Sequence, residues 1–175
     1  MSGPVTLVLG GARSGKSSHA EALVRATGLA RIYLATAAAH DAEMAERIAR
    51  HRTDRSADGW RTVEEELDLA GMLAMEARPD RAVLVECLTL WLSNLMLAGR
   101  DVPAEQQRLL AALHAAAGPV VLVANEVGLG LVPETPLGRA FRDAQGRLNQ
   151  AVAALADRVV FVAAGLPLVL KDTAA

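Results

Sequence analysis

The sequence predicts an α/β protein in which a mainly parallel β-sheet is flanked by helices. Short aliphatic runs alternate with longer helical patterns along the chain. Most of these runs show no polar alternation, as expected for strands that are buried on both faces. The chain has 175 residues, of which 52% are hydrophobic and 22% are charged. This globular composition and length predict a single domain over residues 1–175.

Five apolar runs are the candidate strands, and six segments are the candidate helices. The strands are predicted at residues 5–9, 31–35, 81–86, 119–125 and 158–163. The helices are predicted at about residues 16–27, 41–52, 64–77, 88–98, 104–117 and 136–156. The last apolar segment, residues 165–171, follows a Gly-Leu-Pro turn and is a candidate hairpin strand.

Charge and composition exclude several classes of partner. The net charge is -2, from 18 basic and 20 acidic side chains, so the chain has no general attraction for nucleic acid or anionic membranes. No apolar run is long enough to span a bilayer, and the first apolar stretch leads into a glycine turn rather than a cleavage site. The single cysteine, Cys87, excludes an internal disulfide. We therefore expect a cytoplasmic protein that binds anions through local clusters.

The segment GGARSGKS, residues 10–17, follows the first predicted strand and opens the first predicted helix. It fits the G-x-x-x-x-G-K-[ST] pattern of a phosphate-binding P-loop, in which backbone N–H groups surround the phosphates. Lys16 is expected to reach the β- and γ-phosphates, and the Ser17 hydroxyl is expected to bind Mg²⁺. The predicted nucleotide contacts in this loop are Gly10, Gly11, Ala12, Arg13, Ser14, Gly15, Lys16 and Ser17.

An acid at the end of a second apolar strand would complete a magnesium site. Glu86 ends the run AVLVE and is the candidate second ligand, although an acid at a strand end can also simply face solvent. The run VVLVA, residues 120–124, is followed by Asn-Glu-Val-Gly at residues 125–128, which lacks the Asn-Lys-x-Asp motif of signalling GTPases. A nucleoside kinase would carry an arginine-rich lid late in the chain, and that hypothesis remains possible here with Arg139, Arg142 and Arg147. The alternatives for these arginines are a solvated helix face and a subunit contact.

One histidine lies among four arginines in the segment RIARHRTDR, residues 47–55. His51 falls on the same predicted helix stripe as Met44 and Ile48, at the C-terminal end of the helix over 41–52. From periodicity alone, a packed or capping histidine is favoured over a nucleophile that attacks a polyphosphate. The charge cluster alone does not decide between these two readings.

Eight segments in order along the chain resemble one enzyme family. They are GGARSGKS (10–17), YLATA (33–37), DAEMAERIARHR (41–52), WRTVE (60–64), VLVECLTLWLSNL (83–95), VANEVGLGLVPE (123–134), GRAFRDAQGRLNQAVAALAD (138–157) and GLPLVLK (165–171). The pair NEVGLGLVPE and RDAQGRLNQ is the most specific part. On these segments the chain resembles the bifunctional adenosylcobinamide kinase/adenosylcobinamide-phosphate guanylyltransferases of cobalamin biosynthesis.

The resemblance implies two successive reactions on one chain. The aminopropanol hydroxyl of adenosylcobinamide is phosphorylated by ATP or GTP. GMP then passes from GTP to adenosylcobinamide phosphate through a covalent GMP-histidine, giving adenosylcobinamide-GDP and pyrophosphate. The family's histidine falls on His51, which becomes a candidate catalytic residue beside Lys16. A P-loop aligns the γ-phosphate whereas His51 must reach the α-phosphate, so either the nucleotide rebinds or the helix moves.

The resemblance also implies a RecA-like sheet, a homotrimer and further nucleotide contacts. These contacts map to Ala35, Thr36, Ala37, Arg52, Thr53, Asp54, Arg55, Glu64 and Glu86. From the residues alone, residues 35–37 are a βα turn and Glu64 is a helix-start acid. The apolar segment 88–97 with Trp91 is a candidate subunit contact or an ordinary buried helix, and the corrinoid is expected near residues 125–134. A kinase with a single activity and a non-catalytic NTP-binding switch remain the alternatives.

Overall fold

The computed structural model describes residues 2–38, 46, 53 and 56–173 of the chain. Apart from Glu46, the predicted helix over residues 41–52 lies outside the described residues. Four of the predicted site residues also lie outside them: His51, Arg52, Asp54 and Arg55.

Seven strands form one sheet within the described residues. They are β1 (Val5–Gly10), β2 (Ala30–Ala35), β3 (Trp60–Glu64), β4 (Arg81–Glu86), β5 (Val120–Asn125), β6 (Arg158–Ala163) and β7 (Leu166–Asp172). Their order across the sheet is β3-β2-β4-β5-β1-β6-β7. All neighbouring strands pair in parallel except β6 and β7, which form an antiparallel hairpin. The predicted α/β class and the C-terminal hairpin strand are therefore confirmed.

Five helices of the described chain connect these strands. They are α1 (Lys16–Ala26), α2 (Leu69–Glu76), α3 (Leu88–Leu97), α4 (Val102–Ala115) and α5 (Pro136–Leu155). Side chains of α2 to α5 share one apolar cluster with one face of the sheet, and α1 packs on the opposite face. The buried strands β4 and β5 contribute to both clusters, which explains their continuous apolar sequences.

Side-chain caps set the starts of three helices. Asp68, Asp101 and Thr135 accept hydrogen bonds from backbone N–H groups in the first turns of α2, α4 and α5. Proline in the first turn of α4 and α5 suits these ends, because the first N–H groups of a helix have no intrahelical partner.

The prediction of a helix over residues 64–77 is wrong at its start. Residues 60–64 form the edge strand β3, which pairs in parallel with β2, and α2 begins at Leu69. Glu64 is therefore the last residue of a strand and not a helix-start acid. The short segment WRTVE has mixed burial, as an edge strand has, and its pairing with β2 is a non-local contact that local periodicity does not reveal.

Trp91 belongs to the core of its own chain. Its side chain is 1% exposed, and its indole N–H donates to the Leu67 carbonyl at 2.9 Å. The buried-helix alternative therefore holds for this residue. Leu90 and Leu97, at 45% and 67% exposure, are the apolar residues that α3 presents on the surface.

The search for membrane segments covered only the described part of the chain. None of the helices there is both long enough and apolar enough to cross a bilayer.

Candidate active site

The phosphate-binding loop joins β1 to α1 and requires glycine at two positions. A Cβ at Gly10 would lie 2.5 Å from Ser14 Oγ and 2.6 Å from the Val162 carbonyl oxygen. Gly15 has a φ of 93°, in the left-handed region that side chains with a Cβ rarely adopt. The loop therefore folds tightly over the end of the sheet, with its backbone free to approach an anion.

The turn between β6 and β7 packs against this loop. The Gly165 N–H donates to the Ser14 carbonyl at 2.8 Å. A Cβ at Gly15 would come within 3.1 Å of Gly165 Cα. The hairpin turn is thus part of the site's framework. The predicted Gly-Leu-Pro turn is correct at Gly165 only, because Leu166 and Pro167 already belong to β7 and the turn lies at residues 164–165. The sequence carried no sign of the contact between this turn and the loop.

The structure places Lys16, Ser17 and Glu86 at one end of the sheet. Lys16 is 8% exposed, and its ammonium group donates to the Gly11 carbonyl at 3.0 Å. The Ser17 hydroxyl, at the start of α1, donates to Glu86 Oε1 at 3.1 Å. The two candidate magnesium ligands, which are 69 residues apart in the chain, are therefore adjacent.

These two oxygens fit a magnesium ion. A hydroxyl and a carboxylate are hard oxygen donors, which Mg²⁺ prefers. Among the described residues, no group of three or more His, Cys, Asp or Glu side chains could hold a metal. Mg²⁺ commonly takes only one or two protein ligands and completes its shell with water and substrate phosphates. The pair Ser17 and Glu86 is consistent with that kind of site.

The predicted contact Thr36 is fully buried and its hydroxyl ties two elements together. It donates to the Cys87 carbonyl and accepts from the Cys87 N–H, both at 2.8 Å. The Asn94 side chain donates to the Thr36 carbonyl at 2.7 Å. These bonds lock the end of β2 against the start of α3. The sequence analysis did not identify this role of Asn94, because the residue it bonds to is 58 positions away in the chain.

Ala35 and Glu64 lie in register with Glu86 at the carboxyl edge of the sheet. Ala35 pairs with Glu86 on β4 and with Glu64 on β3. The three residues therefore form a row that leads away from the phosphate-binding loop. Their contact with a nucleotide stays a prediction, as does that of Ala37, which follows β2.

Thr53 lies beside the edge strand β3. It lines a cavity of about 730 Å³ with residues at the beginning of β3, where Trp60 contacts the C-terminal part of α1 through Arg25. The lining residues are Thr53, Ser56, Ala57, Trp60, Arg61 and Thr62. The nucleotide contact of Thr53 stays a prediction.

Cys87 follows Glu86 but is unsuited to nucleophilic chemistry. Burial, with a smaller contribution from the negative charge of Glu86, raises the pKa of the Cys87 thiol. A thiol reacts as its thiolate, so this group stays in its unreactive form near neutral pH.

The segment after β5 runs beside the phosphate-binding loop. The Glu126 N–H donates to the Gly10 carbonyl at 3.1 Å, and Leu129 and Leu131 are 78% and 96% exposed. The Arg139 guanidinium donates to the Pro133 and Glu134 carbonyls, so in this structure it holds the start of α5. A cavity of about 290 Å³ lies between α3 and α5, lined by Ser93, Met96, Leu97, Thr135, Leu137, Gly138 and Phe141.

Comparisons with known proteins give a consistent result. The model of the family described as cobinamide kinase / cobinamide phosphate guanyltransferase matches residues 6–170. The chain is 51% identical over 167 residues to the bifunctional adenosylcobalamin biosynthesis protein CobP of Pseudomonas aeruginosa, covering 94% of this chain and 96% of that protein. It is 43% identical over 180 residues to the bifunctional adenosylcobalamin biosynthesis proteins CobU of Salmonella typhimurium and Escherichia coli, with 94% and 98% coverage.

Solved structures of similar fold include a viral protein. The P4 protein from bacteriophage phi6 in complex with ADP aligns with a TM-score of 0.52 and 18% identity, covering 94% of this chain and 54% of the P4 chain. At this identity the likeness supports the α/β fold and nothing further.

Proposed function

The chain belongs to the cobinamide kinase / cobinamide phosphate guanyltransferase family, and on that premise we propose that one site at the carboxyl edge of its sheet performs two successive transfers. The first moves the γ-phosphoryl group of ATP or GTP to the aminopropanol hydroxyl of adenosylcobinamide. The second moves GMP from GTP to the new phosphate and releases pyrophosphate. The observation that carries the proposal is the contact of Ser17 with Glu86 beside a P-loop.

In the kinase step, residues of this chain bind the triphosphate and neutralise its negative charge. Backbone N–H groups of residues 10–17 and the N-terminus of α1 surround the phosphates. Lys16 leaves its bond with the Gly11 carbonyl and reaches the β- and γ-phosphates. Ser17 and Glu86 would hold Mg²⁺, which would neutralise charge on the triphosphate.

In the guanylyl step, His51 is the proposed nucleophile. Its neutral imidazole attacks the α-phosphorus of GTP, the bond to the β-phosphate oxygen breaks, and pyrophosphate leaves. A phosphate oxygen of adenosylcobinamide phosphate then attacks the same phosphorus and releases the imidazole. Arg52 and Arg55 are proposed to neutralise the phosphates. Support comes from family membership and from the sequence pattern around His51.

The two steps place different demands on the nucleotide. The P-loop presents the γ-phosphorus, whereas His51 needs the α-phosphorus. We propose that GTP rebinds in a second pose, or that the segment carrying His51 moves between steps. A homotrimer and a cytoplasmic location complete the proposal. The sequence resemblance motivates the trimer, and the single cysteine, which fits a reducing compartment, motivates the location.

The guanylyl step is tested by trapping the enzyme-bound GMP. Purified protein is incubated with Mg²⁺ and GTP labelled at the α-phosphate, without acceptor, then denatured and counted. We expect acid-labile, base-stable label on the wild type and none on His51→Ala. His114→Ala, which alters an exposed histidine at the end of α4, is the matched control and should keep the label.

Absence of label from the wild type would contradict the guanylyl step. If the folded wild type binds GTP but takes up no label, the covalent intermediate is excluded and a kinase with a single activity becomes the better description. Transfer of the γ-phosphoryl group to adenosylcobinamide, measured separately with GTP labelled at that position, then decides whether the P-loop step survives.

A further inference from the structure

The carboxyl end of β5 carries a side-chain amide at the centre of the proposed site. Asn125 is the last residue of β5 and pairs in register with Gly10, where the phosphate-binding loop begins. On the other side of β5, Val123 pairs with Glu86 of β4. Asn125 therefore lies between the loop that binds phosphates and the carboxylate that contacts Ser17.

Strand alternation assigns the Asn125 side chain to the α1 face of the sheet. Val123 belongs to the apolar cluster on that face, and Ala124 belongs to the cluster on the other face. Because successive side chains of a strand point to opposite faces, Asn125 shares its face with Val123. The same rule puts Glu86 on the face of Leu84, which is also the α1 face. Asn125 and Glu86 thus flank the start of α1 together.

The main chain of Asn125 is fixed by side chains from α3 and α5. Its N–H donates to Thr89 Oγ1 at 2.8 Å, and its carbonyl accepts from Asn149 Nδ2 at 3.3 Å. Asn149 Oδ1 accepts in turn from Gln145 Nε2 at 2.8 Å. Gln145 is fully buried and Asn149 is 5% exposed. This network holds the end of β5 in place and so sets the position of the Asn125 carboxamide.

The side-chain oxygen of Asn125 accepts no hydrogen bond from the described part of the chain. Oδ1 is buried and meets no hydrogen-bond donor among the described residues. An amide oxygen can only accept, and a buried acceptor without a donor is unfavourable. The residue as a whole is partly exposed and ends its strand beside Gly10, so a ligand at this edge of the sheet can reach the side chain. The ligand group that fits this oxygen is an O–H or N–H donor.

We propose that Asn125 binds the alcohol of the acceptor during phosphoryl transfer, an inference that rests on the proposed function. The acceptor O–H donates to Asn125 Oδ1, and this contact directs its oxygen at the γ-phosphorus held by Lys16. A bond forms between that oxygen and the γ-phosphorus. The bond from the γ-phosphorus to the β–γ bridging oxygen breaks, and its electron pair leaves with the nucleoside diphosphate. The hydroxyl proton is released to solvent, because a carboxamide orients the hydroxyl but is not a base. Asn149 and Gln145 are positioning residues.

The binding test removes the two partners of this hydrogen bond in turn. The affinity of adenosylcobinamide is compared with that of an analogue whose arm lacks the hydroxyl, with nucleoside diphosphate bound. The wild type should prefer the alcohol by about 10-fold, the effect of one hydrogen bond at the strong end of its range. Asn125→Ala should lose the preference, whereas Gln150→Ala, which removes an exposed amide from α5, should keep it. An equal preference in the wild type and Asn125→Ala overturns the inference.

The kinetic test separates the two reactions. Asn125→Ala should lower kcat for phosphorylation by about 100-fold, with the KM for nucleotide little changed. Transfer of GMP to preformed adenosylcobinamide phosphate should be retained, because that acceptor presents a phosphate and not a hydroxyl. Equal loss of both reactions overturns the inference, since it indicates general damage to the site.

A substitution that preserves the shape of the Asn125 side chain controls for misfolding. Asn125→Asp keeps an acceptor oxygen and should keep the preference for the alcohol; a folded Asn125→Asp protein without that preference also overturns the inference. A wild type that prefers the alcohol but phosphorylates no acceptor contradicts the proposed function alone. A wild type that phosphorylates the acceptor without any preference for the alcohol contradicts the role of Asn125 alone.

Discussion

His19 shows at the level of one residue how the first turns of α1 combine function and packing. It follows Lys16 by three positions, and its Nε2 is buried without a hydrogen-bond partner among the described residues. Burial, and to a smaller degree the positive charge of Arg158, lowers the pKa of His19. The neutral imidazole is therefore favoured in the folded protein. Protonation must either expose the ring or place a second positive charge beside Arg158.

This shift predicts a dependence of stability on pH. The unfolded chain binds a proton on His19 at a higher pH than the folded chain does, so stability falls as the pH drops below about 6.5, the ordinary pKa of histidine. His19→Gln removes this contribution and should flatten the fall in melting temperature between about pH 7 and pH 5. Thermal unfolding across that range is the measurement. His114→Gln, at an exposed position, should follow the wild-type curve, and a His19→Gln curve parallel to it would contradict the prediction.

At the level of an element, α5 contains two glycines in different surroundings. A Cβ at Gly146, in the middle of the helix, would meet no atom within 4 Å. A Cβ at Gly138, in the first turn, would lie 2.8 Å from Pro133 Cβ and 3.0 Å from Thr135 Oγ1. Gly138 is also the residue whose N–H donates to the capping hydroxyl of Thr135. The same substitution therefore has opposite consequences at the two sites.

Gly146→Ala should stabilise the protein by about 0.5–1 kcal/mol, since alanine loses less conformational entropy in a helix. Gly138→Ala is the matched control in the same helix and should lower stability, because the new methyl group displaces Pro133 or disturbs the cap. Urea unfolding of both variants measures the two free energies. A loss of stability in Gly146→Ala would show that the middle of α5 is more tightly packed than this structure indicates.

At the level of the whole molecule, the order of the strands gathers the site. β1, β5, β4 and β2 are neighbours in the sheet, so their carboxyl ends bring together segments from residue 10 to residue 125. The same edge continues into the exposed apolar segment after β5, and the outer strand β7 carries four exposed apolar side chains, Leu166, Leu168, Val169 and Leu170. Apolar surface of this kind is typical of proteins that assemble or bind apolar partners.

The proposed trimer gives a direct prediction for the mass in solution. Light scattering during gel filtration should give three times the 18.4 kDa of one chain. The physical reason is that association covers exposed apolar side chains such as those of β7. A dilution series shows whether the mass depends on concentration, and a mass of one chain throughout the series would exclude the trimer.

The sequence by itself determined the features that depend on neighbours along the chain. The apolar runs predicted five strands and the C-terminal hairpin strand, because burial on both faces of a sheet leaves a continuous apolar pattern. The spacing of Gly10, Gly15, Lys16 and Ser17 predicted the phosphate-binding loop, because its backbone geometry requires those residue types at those positions. The ordered motifs, through their resemblance to a known family, indicated the pair of reactions.

Only the tertiary structure decided which distant groups meet. The edge strand β3, the support of Ser14 by Gly165 and the bonds of Thr36 with Cys87 all join segments separated by many residues. The proximity of Ser17 to Glu86 was expected from the motif, but its 3.1 Å contact and the unsatisfied oxygen of Asn125 appear only when the strands are ordered. Local periodicity reports which face of an element is buried. It does not report what that face is buried against, because that depends on the free energy of the whole packed sheet and its helices.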